Sequence, residues 1–109
     1  MMYHVYITEQ AFEDMSSIYR YIFDTLQAPI AAKKQYNRIT NAINSLNCFP
    51  ERIKRINSCD DRMHQLRQMY VDNYSIIFKV EDRSVIVLTV LYSASDIRKK
   101  LETLLSTEQ

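Results

Sequence analysis

The chain has 109 residues with no glycine, and it has only two prolines and two cysteines. Phosphate-binding loops and dinucleotide fingerprints need glycine where the backbone approaches the ligand, so the sequence excludes both motifs. Turns must be built from Asp, Asn, Ser and Pro. No apolar run approaches the roughly 20 residues of a membrane helix, and the start of the chain lacks the pattern of a signal peptide. We therefore expect a cytoplasmic protein without a membrane partner.

The cysteines, Cys48 and Cys59, have no second pair and no histidine cluster near them. A zinc site needs three or four ligands, and disulfides are rare in the cytosol. We expect two free thiols, with a disulfide as the alternative. No motif indicates a metal or a cofactor.

Positive charge is concentrated in the middle of the chain, although the net charge is only +1. Residues 33–67 contain eight Lys or Arg against three acids, whereas residues 1–32 contain one cation against four acids. The middle region suits an acidic partner or a nucleic acid. A solvated helix face and a basic loop would give the same pattern, and dedicated nucleic-acid binders are usually more basic overall.

Periodicity predicts a strand and two helices in the first half. Tyr3 to Ile7 alternates as a strand does, and Thr8 suits the N-cap of a helix. Apolar residues then repeat at helical spacing from Glu9 to Leu26 and from Pro29 to Leu46. The first stripe comprises Ala11, Met15, Ile18, Ile22 and Leu26, and the second comprises Ala32, Tyr36, Ile39, Ile43 and Leu46. The short connection predicts an antiparallel helical hairpin.

The second half reads as a polar loop, three strands and a helix. Residues 51–62 have the least structural pattern. Strands are predicted near 63–71, 74–81 and 84–92, with Asp72-Asn73 and Asp82-Arg83 in the turns. Residues 85–91 are apolar on both faces, so their strand should be central. A final amphipathic helix is predicted from Asp96 to Leu105, with Ser95 as its N-cap.

These elements predict one α+β domain over residues 1–109. Its order is strand, helical hairpin, three-stranded antiparallel meander and C-terminal helix. The two helical stripes need an apolar surface, so the hairpin should cover one face of the sheet in two layers.

The same order and residues resemble the RelE/ParE superfamily of bacterial toxins. The residues that match the family pattern are Ile7-Thr8, Ala11, Asp14, Tyr21-Ile22, Pro29, Ala31-Ala32, Leu46, Phe49-Pro50, Arg67, Asn73-Tyr74, Phe78-Lys79, Val90-Leu91-Tyr92 and Asp96. The resemblance covers nearly the whole chain. It implies an antiparallel sheet under the hairpin, and a toxin held inactive by an antitoxin encoded beside it, in a toxin–antitoxin hetero-oligomer.

The resemblance also implies a target, either DNA gyrase or messenger RNA on the ribosome. Many members place two basic residues where this chain has Ala94 and Ser95. This departure and the near-neutral charge favour a ParE-like gyrase inhibitor. The alternatives are a RelE-like ribosome-dependent endoribonuclease, which would be metal-independent, and a degenerate member that binds antitoxin without toxicity.

Candidate site residues follow from these alternatives. RNA cleavage needs a cation for the phosphorane charge and groups that move protons. Arg67 is the candidate cation, and Tyr92, His64 and Lys79 are candidates for proton transfer. Arg67 is expected at the surface, so Arg67→Ala should spare the fold. The candidates for partner or target binding are Lys33, Lys34, Arg38, Arg52, Lys54, Arg55 and Arg67.

Overall fold

The computed structural model of the protein describes residues 2–106. Its elements are β1 (His4–Ile7), α1 (Glu9–Arg20), a π-turn (Tyr21–Thr25), α2 (Pro29–Asn44), 3₁₀ turns (Ser45–Asn47 and Pro50–Arg52), α3 (Asp61–His64), β2 (Arg67–Val71), β3 (Tyr74–Glu81), β4 (Ser84–Tyr92) and α4 (Ile97–Ser106). The predicted helices and strands all appear in the predicted order, and the structure adds the short helix α3, which was not predicted. The extent of the domain, 1–109, stays a prediction, and residues 1 and 107–109 of it lie outside the described part.

The four strands form one sheet in the order β1-β4-β3-β2. Strands β2, β3 and β4 form the predicted antiparallel meander. Strand β1 instead runs parallel to β4, with His4 opposite Ser84 and Ile7 opposite Val87. The antiparallel sheet that the resemblance implied is therefore found in the meander, and β1 adds one parallel pair at the edge. The prediction that residues 85–91 lie in a central strand is confirmed.

Helix α1 ends in a π-turn, whereas the sequence predicted one regular helix to Leu26. Thr8 caps α1 as predicted, since its side chain accepts a hydrogen bond from the N–H of Ala11. The N–H of Leu26 donates to the carbonyl of Tyr21, five residues back. This wider turn breaks the 3–4 spacing. Leu26 therefore lies outside the core and is 55% exposed.

The hairpin covers one face of the sheet, and its core joins α1 and α2 to the strands. This core includes Met15, Ile39, Ile43, Phe78 and Val87, with Ile18 packed against it. Ile22 is buried, although it is not a member of the cluster. The helices are antiparallel because three residues connect them and they pack on each other.

A second, smaller core lies on the opposite face of the sheet. Ile77 alternates with Ile76 and Phe78 along β3, so it points away from the hairpin. It packs with Leu88 and with Leu101 and Leu105 of α4. The C-terminal helix thus adds a layer to the predicted two. Its N-terminal cap is Asp96 rather than Ser95, since the Asp96 carboxylate accepts from the N–H of Lys99.

The polar loop 51–62 is more ordered than predicted. Arg55 forms an isolated bridge with Arg67, and the Ile56 N–H donates to the carbonyl of Leu66. Met63 belongs to α3, where it is buried, so the predicted start of β2 was four residues too early. Sequence patterns miss such order because these contacts are long-range. No helix within residues 2–106 is long and apolar enough to cross a membrane.

Tight turns use residues other than glycine. Asp72 and Asp82 have φ angles of 54° and 53° and occupy the first position of the two-residue turns between the meander strands. Aspartate tolerates the left-handed region better than most residues. Gln27 and Phe49 also have positive φ angles.

Candidate functional site

Arg67 is buried at the start of β2, which contradicts the expected surface position. Only 8% of the surface of Arg67 is exposed to solvent. Its Nη1 atom donates to the carbonyl oxygens of Ile53 at 2.6 Å and Glu51 at 3.3 Å. Because Arg67 is the first residue of β2, its side chain can reach back to the loop 51–62 that precedes the strand. The guanidinium therefore holds backbone, and this arrangement opposes its use as a phosphate ligand.

Three tyrosines meet at the end of the sheet beside the π-turn. Tyr92 is 51% exposed, and its ring packs edge-on against Tyr74, with 5.9 Å between centroids. Burial, followed by the nearby phenols of Tyr92 and Tyr21, raises the pKa of Tyr74. A raised phenol pKa lies further from neutrality, so Tyr74 is a poor general base.

The other two proton-transfer candidates lie away from Tyr92. The Nδ1 atom of His64 is 3.1 Å from the carbonyl oxygen of Ile56. Lys79 forms an ion pair with Glu81, at 3.0 Å. Lys79 also has the strand parity of Ile77, so it faces the side of α4, whereas Tyr92 packs with Tyr74 on the hairpin side. The structure does not bring the four nuclease candidates together.

The candidate binding cations fall into two groups. Lys33 and Lys34 are exposed near the start of α2, and Arg38 follows one turn later. The Arg38 guanidinium binds both carboxylate oxygens of Asp72 at 2.7 and 2.9 Å, and this contact lowers the pKa of Asp72.

The second group belongs to the loop after α2. Arg52, Lys54 and Arg55 are exposed there. Helix α2 ends at Asn44, so at 1.5 Å per residue Lys33 and Lys34 lie roughly 15–17 Å from its end along the axis, and Arg38 lies roughly 9 Å from it. The predicted binding residues therefore form two surfaces.

Asp14 of α1 closes an open edge of β4, a role that the sequence did not reveal. Strand β1 stops pairing at Val87, which leaves the second half of β4 without a strand on that side. The Asp14 carboxylate accepts hydrogen bonds from the Thr89 hydroxyl and from the N–H of Val90, the latter at 3.0 Å. The sequence signal for this role is that Asp14 is an acidic residue beside the apolar stripe of α1.

A groove of about 650 Å³ lies beside this edge, between α1 and α4. Its floor is Thr89 and Leu91, and α4 contributes Lys99 and Lys100 to one wall. The groove has both a partly open strand edge and basic side chains. Such a surface suits an extended peptide segment.

Metal ligation has no evident location in the described structure. Within residues 2–106, no three His, Cys, Asp or Glu side chains are grouped closely enough to hold an ion. The prediction of free thiols is confirmed, since Cys48 and Cys59 are both unpaired and exposed.

The family model of the ParE toxin of type II toxin–antitoxin systems matches residues 5–97. The chain belongs to the ParE toxin family. The match spans β1 to the first residue of α4, so it includes the hairpin, the meander and most of the groove lining. No curated protein sequence is similar enough to this ParE-family toxin to count as a match.

Solved structures agree with this ParE-family fold. The chromosomal ParDE system of P. aeruginosa includes a chain that is 19% identical, with a TM-score of 0.71, covering 84% of this chain and 96% of that one. A mutant of the E. coli toxin RelE in the free state is 11% identical, with a TM-score of 0.66 and full coverage of both chains. The RelBE2 toxin–antitoxin complex of Mycobacterium tuberculosis gives 17% identity and a TM-score of 0.60, covering 87% and 95%. At these identities the likeness concerns the fold.

Proposed function

We propose that this toxin inhibits growth by contact with DNA gyrase and that an antitoxin encoded beside it keeps it inactive. The separation of the nuclease candidates is the observation that carries the first part. RNA cleavage needs a charge-stabilising group and proton-transfer groups around one phosphate. Arg67 is bonded to backbone carbonyls, and Lys79 and Tyr92 face opposite sides of the sheet. Ala94 and Ser95 add no cation at the end of β4.

The contact surface for gyrase is proposed to include the hairpin end. Lys33 and Lys34 are exposed there, and Tyr21, Phe23 and Ile30 present 53%, 43% and 73% of their surface to solvent. Exposed aromatic and apolar side chains beside cations are typical of protein interfaces. The effect of single substitutions should be spread over several of these positions.

The test compares the two targets directly. Purified toxin is titrated into a gyrase supercoiling assay and, separately, into a ribosome-bound messenger RNA cleavage assay. We expect loss of supercoiling and intact messenger. Lys33→Ala combined with Lys34→Ala should weaken the inhibition, whereas Lys99→Ala combined with Lys100→Ala on α4 serves as a charge-matched control with a smaller effect. Cleavage within codons would establish the RelE-like alternative, and inactivity in both assays would establish a degenerate member.

The antitoxin is proposed to occupy the groove beside β4 as an extended segment that folds on binding. Support comes from the second half of β4, which β1 does not pair, from Lys99 and Lys100, and from similar structures that include a toxin–antitoxin complex. Co-expression with the neighbouring reading frame should give a stable complex. Amide hydrogen exchange should slow at residues 88–92 in the complex, and unchanged exchange there would refute this location.

A further inference from the structure

The turn that follows α2 presents an aromatic ring to solvent from a strained backbone position. The backbone angles of Phe49 are φ 46° and ψ 54°, and 71% of its surface is exposed to solvent. The left-handed region is unfavourable for any residue with a Cβ atom, and a residue before proline is further biased toward extended conformations. A bulky residue persists there only where its surroundings enforce the geometry, and such positions are concentrated at functional sites.

Two arginines hold the backbone carbonyls of this turn. Arg52 donates through Nη1 to the carbonyl oxygens of Cys48 at 2.6 Å and Phe49 at 3.0 Å. Arg67 holds the carbonyls on the far side of the turn. Pro50 is buried, whereas the Phe49 ring is not. The strain is therefore not offset by packing of the Phe49 ring inside the domain.

Exposed apolar and positively charged residues follow Phe49 in the chain or bridge to its neighbour Cys48. Met2 is 63% exposed and bridges to Cys48, with 3.6 Å between their sulfur atoms. We call the combined area the Phe49 surface, and its residues are Met2, Cys48, Phe49, Arg52, Lys54 and Arg55. The three ion pairs recorded among residues 2–106 use other cations, namely Arg38, Arg62 and Lys79. Arg52, Lys54 and Arg55 thus form no ion pair in the described structure; Glu51 lies in the same turn, and its carboxylate accepts a hydrogen bond from the Tyr3 hydroxyl.

We infer that the Phe49 surface anchors an acidic segment of the antitoxin, with a large apolar side chain of that segment against Phe49 and Met2. This inference rests on the proposed toxin–antitoxin function, and it adds a second contact to the groove. Uncompensated cations are complementary to carboxylates. A backbone segment that is already held in its geometry loses little conformational freedom on binding. Phe49 has no ring partner among residues 2–106, and a single ring favours a protein segment over the aromatic platforms that stack nucleic acid bases.

The decisive variant is Phe49→Gly, because it should raise stability and lower affinity together. Glycine adopts the left-handed region freely, so the melting temperature of the toxin should rise by a few degrees. Loss of an anchor residue should weaken binding of the purified antitoxin, encoded by the neighbouring frame, by about 30-fold. Gln27→Gly is the matched control, since Gln27 has φ 51° and lies beyond the other end of α2. It should raise the melting temperature and leave the affinity within roughly twofold.

Calorimetric titration of the wild type, both glycine variants and Phe49→Asn measures this directly. Asparagine tolerates the same backbone region, so Phe49→Asn should show the same loss of affinity. A wild-type complex whose affinity survives both Phe49 substitutions would refute the inference and leave the toxin–antitoxin function standing. No complex with the wild type would instead refute the proposed function.

Two further readouts identify other occupants of the Phe49 surface. If Phe49→Gly retains antitoxin affinity and loses growth inhibition or binding to a 20-nucleotide single-stranded RNA, the surface faces the target. If sedimentation shows a wild-type dimer that becomes a monomer in Phe49→Gly, the surface pairs two copies of this chain. Either result would overturn the assignment to the antitoxin.

Discussion

Replacing Arg67 by alanine should destabilise the toxin. The guanidinium is buried and donates to two backbone carbonyls, one at a short 2.6 Å and one at 3.3 Å. A hydrogen bond from a charged group contributes about 1.5–3 kcal/mol, and the longer bond contributes less than the shorter one. We therefore expect a loss of about 2–4 kcal/mol in the free energy of unfolding. For a domain of this size the melting temperature should fall by roughly 10–25 °C.

Urea denaturation followed by circular dichroism at pH 7 measures this loss. Arg55→Ala is the matched control, because it removes an exposed arginine from the same loop and should change stability by less than about 0.5 kcal/mol. Arg67→Lys should lie between the wild type and Arg67→Ala, since an ammonium group keeps the charge without the guanidinium fork. Wild-type stability in Arg67→Ala, together with loss of messenger cleavage, would show that the guanidinium acts in catalysis instead.

Three other perturbations test the structure. Asp14→Ala should cost about 1–3 kcal/mol in urea denaturation by leaving the β4 edge unpaired, whereas the exposed Glu13→Ala should cost almost nothing. Tyr92→Phe keeps the ring on the sheet and should leave growth inhibition unchanged; a large loss of toxicity would indicate a role for the hydroxyl. Arg38 lowers the pKa of the Asp72 carboxyl below its ordinary value of 3.8. The ion pair therefore stabilises the fold fully above pH 3.8, and this stabilisation is lost as the pH falls through the lowered pKa of Asp72. Asp72→Asn should thus be less stable than the wild type at pH 7, with the difference closing in acid; a difference that persists at pH 2 would contradict this.

Local periodicity was sufficient to predict the longer helices and the strands, although not α3 or the irregular end of α1. Helical spacing identified α1 and α2, and alternation identified β3 and β4. The apolar character of residues 85–91 on both faces also fixed the central strand, because such a strand must be covered on both sides. These features depend on neighbours in sequence, which is why they could be predicted.

The errors occurred where distant residues decide the outcome. Arg67 was predicted to be a surface group, but its partners are backbone carbonyls 14 and 16 positions away. Every residue has a backbone carbonyl, so the sequence does not show which of them accepts a hydrogen bond. The role of Asp14 depends on a strand 75 positions later. The π-turn at the end of α1 exposes Leu26 although its spacing fits the stripe. Site residues were harder to predict than elements for the same reason.

Strand β1 pairs with residues about 80 positions later in the chain, and this separation affects how the toxin is synthesised. At roughly 5–20 residues per second, the ribosome needs about 4–16 s to make the segment between His4 and its partner Ser84. During that interval the first strand has no place in the sheet, and the apolar faces of α1 and α2 lack the strands that cover them. The core of a nascent toxin molecule therefore stays incomplete until β4 has left the exit tunnel of the ribosome. A partner that recognises the exposed apolar faces of α1 and α2 would have those seconds in which to bind before the sheet covers them.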